Sequence, residues 1–119
     1  MKNIIKLEEA AMFGICIYAL YIFQAPWWCY LLILFGPDIS MIGYVLGPPV
    51  GAGTYNMFHH KGFAIFIFLV GMYTDTTIWE IAGVILFGHS SMDRMFGYGL
   101  KYNRGFKYTH LGVIGRPDN

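Results

Sequence analysis

AAMFGICIYALYIFQAPWWCYLLILFGPDISMIGYVLGPPVGAGTYNMFHHKGFAIFIFLVGMYT, residues 10–74, carries formal charge only at Asp38 and Lys61. Sixty-five residues with two charges belong in lipid rather than water. A hydrocarbon core about 30 Å thick takes roughly 20 mostly apolar residues per helix, and a chain of 119 residues has room for about four such passes. The composition outside this stretch agrees. Hydrophobic residues make up 56% and aromatics 18% of the chain, and charged residues only 13%, against about 25% in a soluble domain. A net charge of +1 gives no basic surface dense enough to release counterions from a phosphate backbone, so DNA and RNA binding are excluded. Cys16 and Cys29 stand alone in apolar runs and read as small buried hydrophobes rather than a disulfide.

The expected architecture is all-α: a polytopic membrane helical bundle of about four transmembrane helices, one or two of them broken. Lys2 and Lys6 ahead of an apolar run imitate a secretory signal. Glu8 and Glu9 interrupt that run and no small-x-small cleavage site precedes Pro26, so a retained first helix over residues 7–23 is predicted. Trp27, Trp28 and Tyr30 suit an interfacial belt and open a second helix over 27–46, broken at Pro37. Gly47, Pro48 and Pro49 form a turn. A third helix succeeds it over 50–73, either continuous with a polar waist or hinged at Gly62. Thr77 and Glu80 have capping-box spacing and open a fourth helix over 77–95, with Asp75 and Glu80 as helix-start acids. The tail, 96–119, is basic and aromatic, with Lys101, Arg104, Lys107 and Arg116. The positive-inside rule places both termini on the cytoplasmic side.

Polar residues at membrane depth each cost roughly 2.5 to 3.5 kcal/mol when ionised and central, so each needs a partner or a task. Asp38, Asn56, His59, His60, His89 and Asp93 are that set. His89 and Asp93 are four apart and emerge from one helix face, as do Asn56 and His60. Three segments thus offer carboxylate or imidazole, the ligand chemistry of Zn, Fe or Mn. Plainer roles exist for each. Asp38 can cap a helix starting near Ser40; His59, His60 and Lys61 can lie in a solvated loop; His89 and Asp93 can knit two helices, with Arg94 pairing Asp93. A shift of one residue turns a helix by about 100°, so the pattern leaves open which of His59 and His60 faces inward.

GPDISMIGYVLGPPVGAGTYNMFHHKG from Gly36, GHSSMDRMFGYGLKY from Gly88 and THLGVIG from Thr109 together resemble the bacterial membrane-protein family catalogued as domain of unknown function 4260. The resemblance covers nearly the whole chain and implies a small integral membrane protein without assigning its chemistry. The order of Pro37-Asp38, His60-Lys61-Gly62 and His89-x-x-x-Asp93 is also similar to that in membrane-bound metal-dependent hydrolases. That resemblance implies a divalent metal on Asp38, His60, His89 and Asp93, activating water against a membrane-associated ester or phosphoester. Asn56 and His59 would then orient the ligands or move protons, and Lys61 and Arg94 would hold an anionic headgroup. The chain departs from that pattern in three places: Ser40 stands where a second Asp is usual, Ala64, Ile65 and Phe66 where Thr-His-Ser is usual, and no histidine precedes His59. The alternative expectation is an oligomeric ion or proton channel, transporter or accessory subunit, with the same residues lining a path. Expected partners are the lipid bilayer and further copies of the chain.

Overall fold

The computed structural model of the chain describes residues 2–96 together with two short antiparallel strands, β1 (Tyr108–Thr109) and β2 (Gly112–Val113). Lys101, Arg104, Lys107 and Arg116, the basic residues of the expected tail, lie outside the described residues. Residues 2–96 are helical almost throughout, as α1 (Lys2–Ile22), α2 (Trp28–Phe35), a 3-10 segment (Gly36–Leu46), α3 (Pro48–Phe58), α4 (Lys61–Thr74) and α5 (Thr77–Met95).

Each boundary has a local cause. Gln24 closes α1 in the left-handed conformation at φ 55°, and the Ala25 N–H donates back to the Leu20 carbonyl at 2.9 Å, as in a Schellman closure. Pro37 has no N–H for the carbonyl of Ile33 four residues before it, so α2 cannot continue as an α-helix. The chain tightens instead into eleven residues of 3-10 helix, well beyond the three or four in which that form usually occurs. Laid end to end, Trp28–Leu46 extends about 34 Å at the rises of the two helix types. Among the described residues it is the one helical segment long and apolar enough to cross a membrane by length and composition.

Pro48 and Pro49 fall in the first turn of α3, where a missing N–H costs nothing, so α3 begins two residues earlier than expected. Of the two alternatives for residues 50–73, the continuous helix and the hinged pair, the chain forms two helices. Their joint is His59 and His60, just ahead of the expected hinge at Gly62, with His59 ending α3 at φ −109° and His60 extended at φ −90°. Asp75, at φ 55°, closes α4 while the Thr76 N–H donates to the Gly71 carbonyl at 2.8 Å. Asp75 is therefore a helix terminator rather than a helix-start acid. The N-cap of α5 is Thr76, and Thr77 is the first helical residue, so the expected Thr77 capping box does not form; Glu80 does lie in the first turn.

α5 is the central helix, packed on α1, α2 and α4, and α3 lies along the 3-10 segment. Close approach needs small residues. A Cβ on Gly88 would come within 2.4 Å of Ile33 Cδ1 and 2.8 Å of Cys16 Cβ; one on Gly83 would come within 2.7 Å of Phe68 Cβ and 2.8 Å of the Ala64 carbonyl. The apolar core is Cys16, Leu20, Cys29, Ile33, Val84 and Ile85, and both cysteines are free thiols. Polarity is distributed inside out. Leu7, Ile15, Tyr21, Val45 and Leu46 are exposed, while His59, His89, Ser90, Ser91 and Asp93 are buried. Large exposed apolar surfaces are normally covered, by lipid or by protein.

Candidate metal centre

Four side chains from three segments converge at one end of α5. Asp38 comes from the 3-10 segment, His59 from the joint of α3 and α4, and His89 and Asp93 from one face of α5. One ligand atom from each lies within 4.8 Å of all the others. Around the ring, His59 Nε2 is 3.2 Å from Asp38 Oδ1, Asp38 Oδ1 is 3.0 Å from His89 Nε2, His89 Nε2 is 3.6 Å from Asp93 Oδ2, and Asp93 Oδ2 is 3.3 Å from His59 Nε2. Metal–ligand bonds of about 2.1 Å to histidine and carboxylate imply a tetrahedral edge of about 3.4 Å and an octahedral edge of about 3.0 Å, within the observed span.

The backbone decides which nitrogen of each imidazole faces the ring of ligands. His59 Nδ1 lies 2.8 Å from the Tyr55 carbonyl and His89 Nδ1 lies 2.9 Å from the Ile33 carbonyl. A carbonyl oxygen has no proton to give, so both Nδ1 atoms donate. In the neutral ring the proton is then on Nδ1, and the Nε2 lone pair points at the carboxylates. Donation from the outer nitrogen to a backbone carbonyl is the usual support of a metal-ligating histidine. With both imidazoles neutral and no cation, lone pairs of nitrogen and oxygen would face one another across about 3 Å beside two carboxylates in a buried site. Either a proton on each Nε2, giving His–Asp ion pairs, or a divalent ion among the four groups satisfies this arrangement.

Further contacts lock the arrangement. Tyr55 stacks on the His59 ring at 3.7 Å between centroids and 9° between planes, and its hydroxyl donates to Asp93 Oδ2 at 3.1 Å. The His59 carbonyl accepts from Ser90 Oγ at 2.7 Å and from Arg94 Nη2 at 3.3 Å. The two imidazoles are fully buried and the Asp93 side chain nearly so, whereas the Asp38 side chain is 42% exposed. Asp38 therefore marks the open side.

Sequence reasoning grouped Asp38, His89 and Asp93, and the structure brings these three together with His59. His60, expected as the fourth ligand, is exposed and turned away. Its Nδ1 accepts from the backbone N–H groups of Gly62 and Phe63 at 3.0 and 3.3 Å, capping α4. The one-residue turn at the helix joint exchanges the two histidines. Lys61, expected to meet an anionic headgroup, is bonded to Glu9 of α1 at 2.6 Å and lies 5.5 Å from the centre of the Phe87 ring; its charge is already matched inside the protein. Arg94 is bonded to the His59 backbone rather than placed in the ring of ligands. Asn56 is half-buried on α3, engaged within the protein and outside the four. Sequence reasoning missed Tyr55, Ser90 and Glu9. The spacing of four between Tyr55 and His59 was the available signal for the first.

No curated protein and no solved structure matches the chain. The family described as Domain of unknown function (DUF4260) matches residues 2–114, nearly its full length. The chain belongs to that family.

Proposed function

We propose that the protein is a helical membrane protein that holds a divalent Zn, Mn or Fe ion on Asp38, His59, His89 and Asp93 and uses it to hydrolyse a membrane-associated ester or phosphoester. The observation that carries the metal is the pair of Nδ1 donations to backbone carbonyls, which aim both Nε2 lone pairs at two carboxylate oxygens. Two nitrogen and two oxygen donors suit Zn, Mn or Fe; they are too few and too nitrogen-rich for Ca²⁺, and lack the soft sulfur that selects Cu(I). Membrane residence is supported by the apolar exterior and by the span-length apolar segment Trp28–Leu46.

Hydrolysis is supported by the asymmetry of burial. Three of the groups are enclosed and Asp38 faces outward, so an ion held here would be approached from that side. Four protein ligands leave two positions on a six-coordinate ion and one on five-coordinate zinc. A divalent ion held by Asp38, His59, His89 and Asp93 would supply an acidified water for hydrolysis. The bond from the water oxygen to the acyl carbon or phosphorus would form as the bond to the leaving oxygen breaks, with the water proton passing to the departing alcohol.

Elemental analysis of the detergent-purified protein after a mild chelator wash tests the centre. Near-stoichiometric metal is expected in the parent and in His60→Ala, and its loss in His59→Ala and His89→Ala. Equal metal in all four, or none in the parent, overturns the reading and leaves an ion path through the same polar residues as the account to pursue.

A further inference from the structure

An apolar cleft of about 490 Å³ lies between the Trp28–Leu46 segment, α4 and α5, a volume within the range of small-molecule pockets. Its α5 wall is Trp79, Ala82, Ile85 and Leu86. Steps of three and four along a helix keep one face, and the same steps carry Leu86 on to His89 and then Asp93. The stripe that lines the cleft therefore runs into two ligands of the candidate centre, His89 standing about 15 Å from Trp79 at 1.5 Å per residue. The opposite wall adjoins a third ligand by sequence. It contains Pro37 and Ile39, the residues on either side of Asp38, which is the exposed ligand. Phe58, immediately before His59, stands at the same end in edge-to-face contact with Phe63, ring centroids 6.2 Å apart.

We propose that this cleft binds a single lipid acyl chain and delivers the ester or phosphoester at its head to the open side of the centre; this rests on the hydrolase reading above. The commitment to an acyl chain has three grounds. Apart from the Trp79 indole no polar side chain lines the cleft, it is bounded by the one segment of span length among the described residues, and its α5 wall continues in register to His89 and Asp93, while Pro37, Ile39 and Phe58 adjoin Asp38 and His59 in sequence. A polar or branched headgroup would find almost nothing to bond in it, and a straight hydrocarbon would leave no polar atom unsatisfied. The substrate class is thus a long-chain lipid ester, with chain length read at the Trp79 end.

Trp79 is a built-in reporter. The chain has three tryptophans, so Trp27→Phe with Trp28→Phe leaves Trp79 as the sole indole. The probe is dibromostearoyl lysophosphatidylcholine, titrated into this protein in dodecyl maltoside micelles, with and without chelator. The expected result is quenching that saturates, is reversed by the unbrominated stearoyl lysolipid, and weakens about tenfold in Ala82→Phe, the loss of roughly two buried methylenes. Ile67→Phe fills the cleft from α4 and is expected to act alike, so misfolding of one variant leaves the other. Quenching that rises only in proportion to the lysolipid fraction in the micelle, unchanged by either variant, overturns the proposal. Saturation in both metal-loaded and chelated protein upholds the cleft even if elemental analysis removes the metal centre. Stoichiometric metal with no saturation leaves the centre and removes the cleft.

Discussion

His89 Nδ1 donates to the carbonyl oxygen of Ile33 at 2.9 Å, and that oxygen is free to accept because the residue four positions on is Pro37, which has no N–H. The proline that breaks α2 thereby frees the acceptor that orients His89, and the residue after it, Asp38, is another of the four groups proposed to hold the metal. Replacing Pro37 with Ala restores an N–H that competes for the Ile33 carbonyl. Metal affinity is expected to fall about 10- to 100-fold, the usual cost of losing an outer-shell partner, while far-UV circular dichroism shows helix content unchanged or increased. A chelator competition titration reads the affinity; an unchanged value would show that His89 needs no such anchor.

Tyr55 offers a separable pair of contacts. In Tyr55→Phe the ring still stacks on His59 but the bond to Asp93 Oδ2 is gone. The expected outcome is about tenfold weaker metal retention with the melting temperature lowered by a few degrees, since one hydrogen bond to a charged group is worth about 1.5 to 3 kcal/mol. Tyr55→Ala removes both contacts and is expected to lose the metal altogether on a chelator column.

The Lys61 and Glu9 pair is structural on this reading. Lys61→Met leaves Glu9, whose side chain is only 12% exposed, without its cation, and thermal stability is expected to drop by about 1 to 3 kcal/mol. Adding Glu9→Gln should recover much of that loss. Metal content should stay at the parent level in both variants, and a fall in metal content with stability unchanged would return Lys61 to the site.

Gly83→Val tests the approach of α4 to α5. Its first side-chain carbon would enter space held by Phe68 and the Ala64 carbonyl, and backbone cannot yield as a flexible side chain does. A loss of about 1 to 3 kcal/mol is expected, read as a lowered midpoint in thermal unfolding by circular dichroism. Gly53→Val is the control, because a Cβ there meets nothing within 4 Å; a similar loss in both variants would argue against tight packing as the cause.

What could be read from the chain and what could not divide along a physical line. The helices were legible because apolar runs, prolines and cap residues act over a few residues, and α5 was expected over the residues at which it stands. Asp38, His89 and Asp93 were legible because ionisable groups in a chain this apolar are few and costly. The choice of His59 over His60 was not. It depends on α3 ending at Phe58 and the next residue turning at φ −109°, and one residue of helix rotates a side chain by about 100°. The Lys61 to Glu9 bond joins residues 52 apart, and nothing local to either residue announces the other. The 3-10 segment was expected only as a break, since the loss of one N–H at Pro37 dictates where the α-helix stops and leaves the conformation of Asp38 to Leu46 to their packing against α3.

The four ligands also bear on how the chain reaches its folded form. Asp38 meets His59 across 21 residues and His89 across 51, so a single ion ties three distant stretches as a crosslink would. Closing loops of that size removes conformational freedom from the unfolded chain, and the cost grows only slowly with loop length. If the proposed ion binds there, it would link these three stretches at a single point, stabilising the folded chain relative to the unfolded one. A chain that cannot load it is expected to keep its helices and lose the order in which they meet.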